Sequence, residues 1–250
     1  MPIWLQAGLW GLLGGSALLI GAVLAYLVDL PRRVTAGIMA FGCGVLISAV
    51  AYDLIMDGFE KGGLWPILGG AAAGSAAYTV ANVLVNRSGA RHRKRSGEQQ
   101  TSAEEGGGGM AIAIGSLLDG IPESIVLGVG LLGGNGISMA MLAAVFLSNL
   151  PEGLSSAVGM KRAGRSRVYV LGLWGGIAVV SGLAAMIGAA ALGDAPPELL
   201  ALVNAVAAGA LLTMITDTMI PEAVEGEGEG TGALVVFGLL VAFTISQLGS

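Results

Sequence analysis

The chain has 250 residues, of which 54% are hydrophobic and only 12% charged, with a formal net charge of −5 at pH 7. Soluble domains have about a quarter of their residues charged, so this composition excludes an ordinary soluble domain and a solvated disordered chain. It predicts a protein of membrane-spanning helices, and the 43 glycines fit the close helix packing found in lipid.

Eight apolar runs have the length that a membrane crossing requires, roughly 20 residues for a hydrocarbon core of about 30 Å. They are residues 4–28, 34–57, 63–86, 109–132, 137–160, 167–192, 198–222 and 231–248. The first run has no basic segment before it and no small-residue cleavage pattern after it, so we expect a retained helix and not a signal peptide. The fold class is thus predicted to be all-α, a polytopic membrane protein with one transmembrane domain over residues 1–250.

One connection is long, between the third and fourth helices. Residues 87–108 contain a basic cluster, an acidic stretch and a run of glycines, with almost no apolar content. We therefore predict a flexible loop there. Its basic end, which includes His92, is interpreted as a segment facing anionic lipid headgroups, because a lone histidine among positive charges repels metal ions.

The basic residues predict the orientation in the membrane. Eleven of the twelve Lys and Arg residues lie in the loops after helices one, three and five. By the positive-inside rule these loops are cytoplasmic and both termini lie outside, which we expect for a multi-pass protein of a bacterial-type inner membrane. The turn after helix seven contains Glu222, Glu225, Glu227 and Glu229. A solvated turn is the favoured interpretation of these acids, ahead of a role in gathering cations.

Two pairs of segments indicate an internal repeat. The run from Gly44 toward Asp53 matches the run from Gly209 toward Asp217 over seven residues, and the predicted topology makes them cross in opposite directions. Helices four and five form the second pair, since each carries a Pro-Glu motif. Both pairs fit an inverted repeat of 3+2+3 helices. For the first pair, chance similarity among small apolar residues is an equal alternative.

The fourth and fifth helices each carry polar residues along one face. Asp119 and Glu123 are four residues apart on helix four, whereas Ser148, Asn149 and Glu152 recur at helical spacing on helix five. Residues three or four apart share a helix face, so each helix presents two or three oxygen-bearing side chains in a stripe. These five residues are the primary candidates for ligands of a metal cation.

A proline lies beside each stripe. Pro122 and Pro151 each remove a backbone N–H, which frees a carbonyl oxygen one turn earlier and favours a kink. A carboxylate at mid-membrane costs about 3 kcal/mol, so such groups normally face the bundle interior beside a partner or an ion. Because no Lys or Arg lies in the apolar interior of the predicted spans, we expect a bound cation, protons or both to neutralise the acids. The alternative, protonated acids that only join helices, accounts for one Pro-Glu motif better than for two.

Two further acids complete the candidate site. Asp53 on helix two and Asp217 on helix seven are equivalent in the repeat, which directs both toward the same axis. Each also lies within a turn or two of its helix end, so a structural or headgroup role is equally favoured. Oxygen donors suit Mn²⁺, Mg²⁺, Ca²⁺ or Fe²⁺, although zinc also accepts carboxylates.

These features together resemble the ZIP (Zrt/Irt-like) family of metal-ion transporters, and the resemblance covers the whole chain. It implies a metal site in which Glu123, Asn149 and Glu152 match the family's motif residues on helices four and five, and it implies a homodimer. Asp119 and Ser148 stand where the motif histidines are expected. The chain thus looks like a divergent member with a harder site, since neutral nitrogen donors are replaced by oxygen.

The function expected from the residues and the resemblance is transport of a divalent metal cation (Zn, Mn, Fe or similar) as substrate, with no organic cofactor and no enzymatic activity. No Gly-x-x-x-x-Gly-Lys-Ser/Thr motif is present, so the drive comes from gradients and not from ATP. The expected partners are membrane lipids, the cation and a second copy of the chain, with no nucleic acid. Two alternatives are a receptor or scaffold that has lost its metal site and, much less favoured, an intramembrane aspartyl protease.

Overall fold

A computed structural model describes residues 1–94, 96, 108–133 and 139–248. Within these residues, eight helices are long and apolar enough to cross a membrane, which confirms the predicted all-α polytopic architecture. In chain order they are α1 (Ile3–Leu27), α2 (Arg32–Gly62), α3 (Leu64–Gly89), α4 (Ile112–Gly130), α5 (Met141–Arg162), α6 (Arg167–Leu192), α7 (Pro197–Gly226) and α8 (Thr231–Leu248).

The helix boundaries follow from local chemistry. Pro31 precedes α2 and Pro196 precedes α7, positions where the missing N–H of proline costs no helical hydrogen bond. Ser166 caps α6 by accepting a hydrogen bond from the backbone N–H of Tyr169 at 3.2 Å. Gly63 alone separates α2 from α3, and its φ of 77° is in the left-handed region that glycine enters without strain. Sequence-based bounds are close to these because apolar runs and helices end at the same residues.

The helices pack with the symmetry of an inverted repeat. Three helix pairs of one half have counterparts in the other half. The contact of α1 with α5 corresponds to that of α6 with α4, and the contact of α3 with α7 corresponds to that of α8 with α2. The contact of α2 with α5 corresponds to that of α7 with α4. The inverted repeat exchanges helices one to three with helices six to eight, and helix four with helix five. Under this exchange each packed pair becomes its counterpart in the other half. This arrangement places α4 and α5 in the interior of the bundle and leaves α3 and α8 largely exposed on its outer surface.

The two glycines that open the matched runs lie at close helix crossings. A Cβ on Gly44 would overlap the carbonyl oxygen of Val235 in α8, and a Cβ on Gly209 would overlap that of Ala71 in α3. Only glycine permits such an approach, which in lipid supplies packing contacts that no hydrophobic effect provides. The sequence match therefore corresponds to two equivalent crossings, α2 with α8 and α7 with α3.

The loops after α1, α3, α5 and α7 meet at one end of the bundle. Lys161 Nζ lies 2.8 Å from Asp29 Oδ1, and Arg32 Nη2 lies 3.4 Å from Glu225 Oε2. The hydrogen bond from Lys161 lowers the pKa of Asp29. Grouping of these loops at one end is what alternating membrane crossings require. That this end is the cytoplasmic one stays a prediction from the basic residues.

Candidate functional site

A buried polar cluster lies between α4 and α5, where the two stripes of side chains were predicted. Asp119, Glu123, Ser148, Asn149 and Glu152 are each 4% exposed or less. Both helices continue unbroken as α-helix through their prolines. The carboxylates therefore lie on adjoining turns inside the bundle and do not face lipid.

The chain that follows α3 enters this cluster. Residues 91–94 form a turn, and Arg93, Lys94 and Ser96 are buried at 2%, 3% and 0% exposure. We call residues 91–94 and 96 the strap. A flexible, lipid-facing loop was expected over 87–108, but the strap is buried inside the bundle. The buried carboxylates attract its cations more strongly than lipid headgroups do. Residues 95 and 97–107 lie outside the described residues.

Arg93 is held in a polar socket built by α3 and α4. Its guanidinium donates two hydrogen bonds to Asp119, from Nε to Oδ2 at 2.9 Å and from Nη2 to Oδ1 at 3.0 Å. It also donates to Asn86 Oδ1 at 3.1 Å, Asn82 Oδ1 at 3.0 Å and Tyr78 Oη at 3.2 Å. Tyr78 in turn donates to Asp119. The three α3 residues are spaced by four, so a single helix face forms the socket.

Lys94 lies between carboxylates from the two central helices. Its Nζ is 2.9 Å from Glu152 Oε2 on α5 and 3.3 Å from Asp119 Oδ2 on α4. Burial on its own lowers the pKa of Lys94, but the two carboxylates more than offset it, and the pKa is raised. A charged ammonium therefore stands where a bound cation was predicted. The expectation that these acids have no protein cation to neutralise them is wrong.

Ser96 fastens the strap to α5 and α7. Its backbone N–H donates to Glu222 Oε1 at 2.9 Å, and its hydroxyl donates to the same oxygen. The Ser155 hydroxyl lies 2.7 Å from the carbonyl oxygen of Lys94 and 3.1 Å from Glu222 Oε1, and Arg162 Nη1 donates to the Ser96 carbonyl oxygen at 2.8 Å. Glu222 is fully buried. It is therefore not part of a solvated turn, because the strap covers it.

Glu123 differs from the other two central carboxylates. It is 2% exposed, and among the described residues neither of its oxygens has a hydrogen bond of ordinary length and angle, although the Asn149 side chain lies near enough to act on it as a donor. Glu152, Lys94 and Asp119 act on it electrostatically. The cluster thus contains three carboxylates, while the strap supplies only the two cations of Arg93 and Lys94. One buried carboxyl is left without a cation of its own, an arrangement that costs free energy.

The remaining two residues of the α5 stripe make local bonds. The Ser148 hydroxyl donates to the Val145 carbonyl oxygen in its own helix at 3.0 Å. Asn149 Nδ2 donates to the carbonyl oxygen of Gly14 at 3.2 Å and so joins α5 to α1, while its side chain lies beside Glu123. Ser148 thus bonds within its own helix, and Asn149 joins α5 to α1 beside the Glu123 carboxyl.

Asp53 and Asp217 are not brought to the cluster. Asp53 is half-buried near Ser246 of α8, and Asp217 is exposed. Both lie in π-helical segments, Val50–Met56 and Ile215–Met219. A π-helical turn contains more residues than an α-helical one, so the side chains point in directions that α-helical spacing does not predict. The expectation that the repeat directs both acids toward one axis is not met.

Two signals in the sequence could have located the strap. The first is the ladder of Tyr78, Asn82 and Asn86, which ends just before the basic segment. The second is Gly115 on α4, where a Cβ would lie 2.5 Å from Arg93 Cδ. A basic run in a polar segment is ordinarily solvated, so neither signal identifies the buried pair by itself.

In comparisons with known proteins, no protein-family model matches the sequence and no curated protein is significantly similar to it. Among the described residues, no three His, Cys, Asp or Glu side chains are arranged to hold a metal ion. The resemblance to ZIP transporters therefore stays a prediction from the motifs on α4 and α5.

Proposed function

We propose that this protein moves a divalent metal cation across the membrane through the polar cluster between α4 and α5. The observation that carries the proposal is the buried carboxyl of Glu123, which adjoins Glu152 and forms no ion pair among the described residues, since Arg93 and Lys94 pair with Asp119 and Glu152. A cation entering the cluster offsets the cost of the third buried carboxylate, for which the strap supplies no positive charge. The motif resemblance to ZIP transporters supports the same function.

The donor set favours hard cations. Glu123 and Glu152 offer carboxylate oxygens, and none of the five cluster residues carries an imidazole or a thiol, although the buried thiol of Cys43 lies close enough to Lys94 and Glu152 for their charges to act on it. A site made of oxygen ligands suits Mn²⁺, Mg²⁺ and Fe²⁺ better than a site that also contains histidine nitrogens. We therefore propose that Mn²⁺ is preferred over Zn²⁺, which competition between the two ions for uptake measures.

Uptake of Mn²⁺ into proteoliposomes under an imposed gradient tests the proposed function. Glu123→Gln and Glu152→Gln each keep the side-chain volume but remove a carboxylate, and we expect at least a tenfold lower initial rate. Glu60→Gln is the matched control, because Glu60 is exposed at the end of α2. Rates that fall equally in all three variants would contradict the proposed site.

A receptor or scaffold that does not transport is the second candidate. It is favoured by Asp119, whose oxygens already accept hydrogen bonds from Arg93 and Tyr78 and pair with Lys94. A permanently closed site predicts no Mn²⁺ uptake by the unaltered protein or by any strap variant. The two candidates are therefore separated by uptake measured on the unaltered chain and on variants of Lys94.

Assembly and location are part of the proposal. On the ZIP resemblance alone we propose a homodimer, which mass measurement in detergent tests. We also propose a bacterial-type inner membrane with both termini outside, because the basic loops favour the cytoplasmic side.

A further inference from the structure

We propose that the strap is a tethered competitor of the transported cation: the Lys94 ammonium occupies the place between Asp119 and Glu152 that the cation must take, and cation binding requires Lys94 to withdraw. This inference rests on the proposed transport function and describes how the same site is regulated.

The two occupants are mutually exclusive by geometry. Lys94 Nζ is 2.9 Å from Glu152 Oε2 and 3.3 Å from Asp119 Oδ2. A Mn²⁺- or Ca²⁺-sized ion binds carboxylate oxygens at about 2.0–2.6 Å, so it needs the same oxygens and the same space. An ion can therefore be bound by this pair of carboxylates only when the ammonium has left.

Charge predicts which cation exchanges with Lys94. The cluster has three carboxylates, Asp119, Glu123 and Glu152, and the strap brings two positive charges. When Lys94 is replaced by a divalent ion and Arg93 stays, the three negative charges are balanced. Replacement by a monovalent ion leaves the same buried carboxylate uncompensated as the docked strap does, so it gains nothing in a medium of low dielectric constant. The exchange therefore selects divalent cations.

The two cations of the strap differ in how they are held. Arg93 donates hydrogen bonds to four side chains. One is Asp119 on α4, and the other three are Tyr78, Asn82 and Asn86 on α3. Lys94 has two ion pairs and a carbonyl bond to Ser155, and Ser96 is held by polar bonds alone. Polar bonds can be exchanged for bonds to water as a segment opens. Arg93 is thus the most firmly held residue of the strap, and withdrawal of Lys94 requires the bonds of Ser96 to Glu222 and Arg162 to open with it.

The docked strap also covers one end of the cluster. It contacts α5 through Ser155 and Arg162 and α7 through Glu222, at the end where the loops after α1, α3, α5 and α7 meet. Docking therefore holds α3, α4, α5 and α7 together on that side. Withdrawal of Lys94 both frees the carboxylates and loosens the cover over them.

Amine acetylation tests the proposal directly on the full chain. The lysines of the sequence are Lys61, Lys94 and Lys161, and the first and last are at the surface with side chains 45% and 37% exposed. A short pulse of acetic anhydride followed by mass spectrometry measures each site separately. Without metal, we expect Lys94 to react at least tenfold more slowly than Lys61. Mn²⁺ should raise the Lys94 rate about tenfold, with half-saturation equal to the Kd for Mn²⁺ measured by equilibrium dialysis.

Variants separate competition from general electrostatics. Lys94→Met removes the competitor, and because apparent affinity scales with the fraction of open sites, Mn²⁺ should bind about tenfold or more tightly. Arg91→Gln removes an exposed charge of the strap and should change the Kd less than twofold. Equal effects of both variants would overturn the proposal.

The outcomes also distinguish the strap from the transport function. Mn²⁺ binding to the unaltered protein with no change in Lys94 acetylation would overturn the strap proposal and leave transport intact. Absence of Mn²⁺ binding in both the unaltered protein and Lys94→Met would overturn transport, and the strap proposal with it. Binding by Lys94→Met alone would support a strap that closes the site tightly.

Discussion

At the scale of single residues, the cluster shows how a carboxylate can be kept charged inside a helical bundle. Asp119 accepts hydrogen bonds from Arg93 and Tyr78 and lies 3.3 Å from the Lys94 ammonium. These groups replace the water that the carboxylate loses on burial. The sequence predicted that Asp119 is buried in the bundle, but not that Arg93 and Lys94 pair with it, since their placement depends on a loop that folds back from α3.

Removal of one member of this group is expected to be strongly destabilising. Asp119→Asn leaves the buried charges of Arg93 and Lys94 without their shared partner, and breaking a buried pair in this way costs about 3–5 kcal/mol. Thermal unfolding in detergent measures the effect. Asp57→Asn is the control, because Asp57 and Lys61 form an exposed i,i+4 pair worth about 0.3–0.5 kcal/mol. Similar Tm values for the two variants would show that the Asp119 network contributes little.

At the scale of helices, the apolar runs predicted the spans well because one physical requirement, the hydrocarbon thickness, decides their length. The π-helical segments of α2 and α7 were not predictable in this way. A π-helical turn leaves hydropathy unchanged but rotates the side chains within and after it, so the repeat alone did not predict where Asp53 and Asp217 lie.

Close helix crossings provide a test at this scale, and α3 contains a matched pair of glycines. A Cβ on Gly74 would overlap the carbonyl oxygen of Val206 in α7, whereas a Cβ on Gly69 meets no described atom within 4 Å. Gly74→Val should therefore lower the Tm markedly, because overpacking costs about 1–3 kcal/mol and here displaces backbone. Gly69→Val should leave it nearly unchanged. Equal Tm values for Gly74→Val and Gly69→Val would show that α3 and α7 do not cross closely at Gly74.

At the scale of the whole molecule, the inverted repeat relates the two halves except at the strap. The packed helix pairs exchange under the symmetry, and so do the crossings at Gly44 and Gly209. Among the described residues, the strap covers one end of the cluster and makes it different from the other. The short match between apolar segments of the sequence could predict the symmetric packing of the helices. The strap depends on polar contacts between residues far apart in the sequence, which no local pattern encodes.

The predicted orientation can be tested with single cysteines, because the native Cys43 is buried and should not react. Asp194→Cys lies in the exposed connection before α7, and Arg167→Cys lies at the exposed start of α6. A membrane-impermeant maleimide applied to intact cells should label position 194 at once and position 167 only after permeabilisation. The reverse pattern would place the basic loops and the strap outside.

The most direct test of the central claim is the initial rate of Mn²⁺ uptake into vesicles that contain the unaltered protein. Protein-free vesicles and vesicles with the double variant Glu123→Gln/Glu152→Gln serve as references, with correct folding of the variant checked by its Tm. We expect saturable uptake by the unaltered protein and a rate at the protein-free level for the double variant. Uptake by the double variant at the unaltered rate, or none by the unaltered protein and by Lys94→Met, would contradict transport through this cluster.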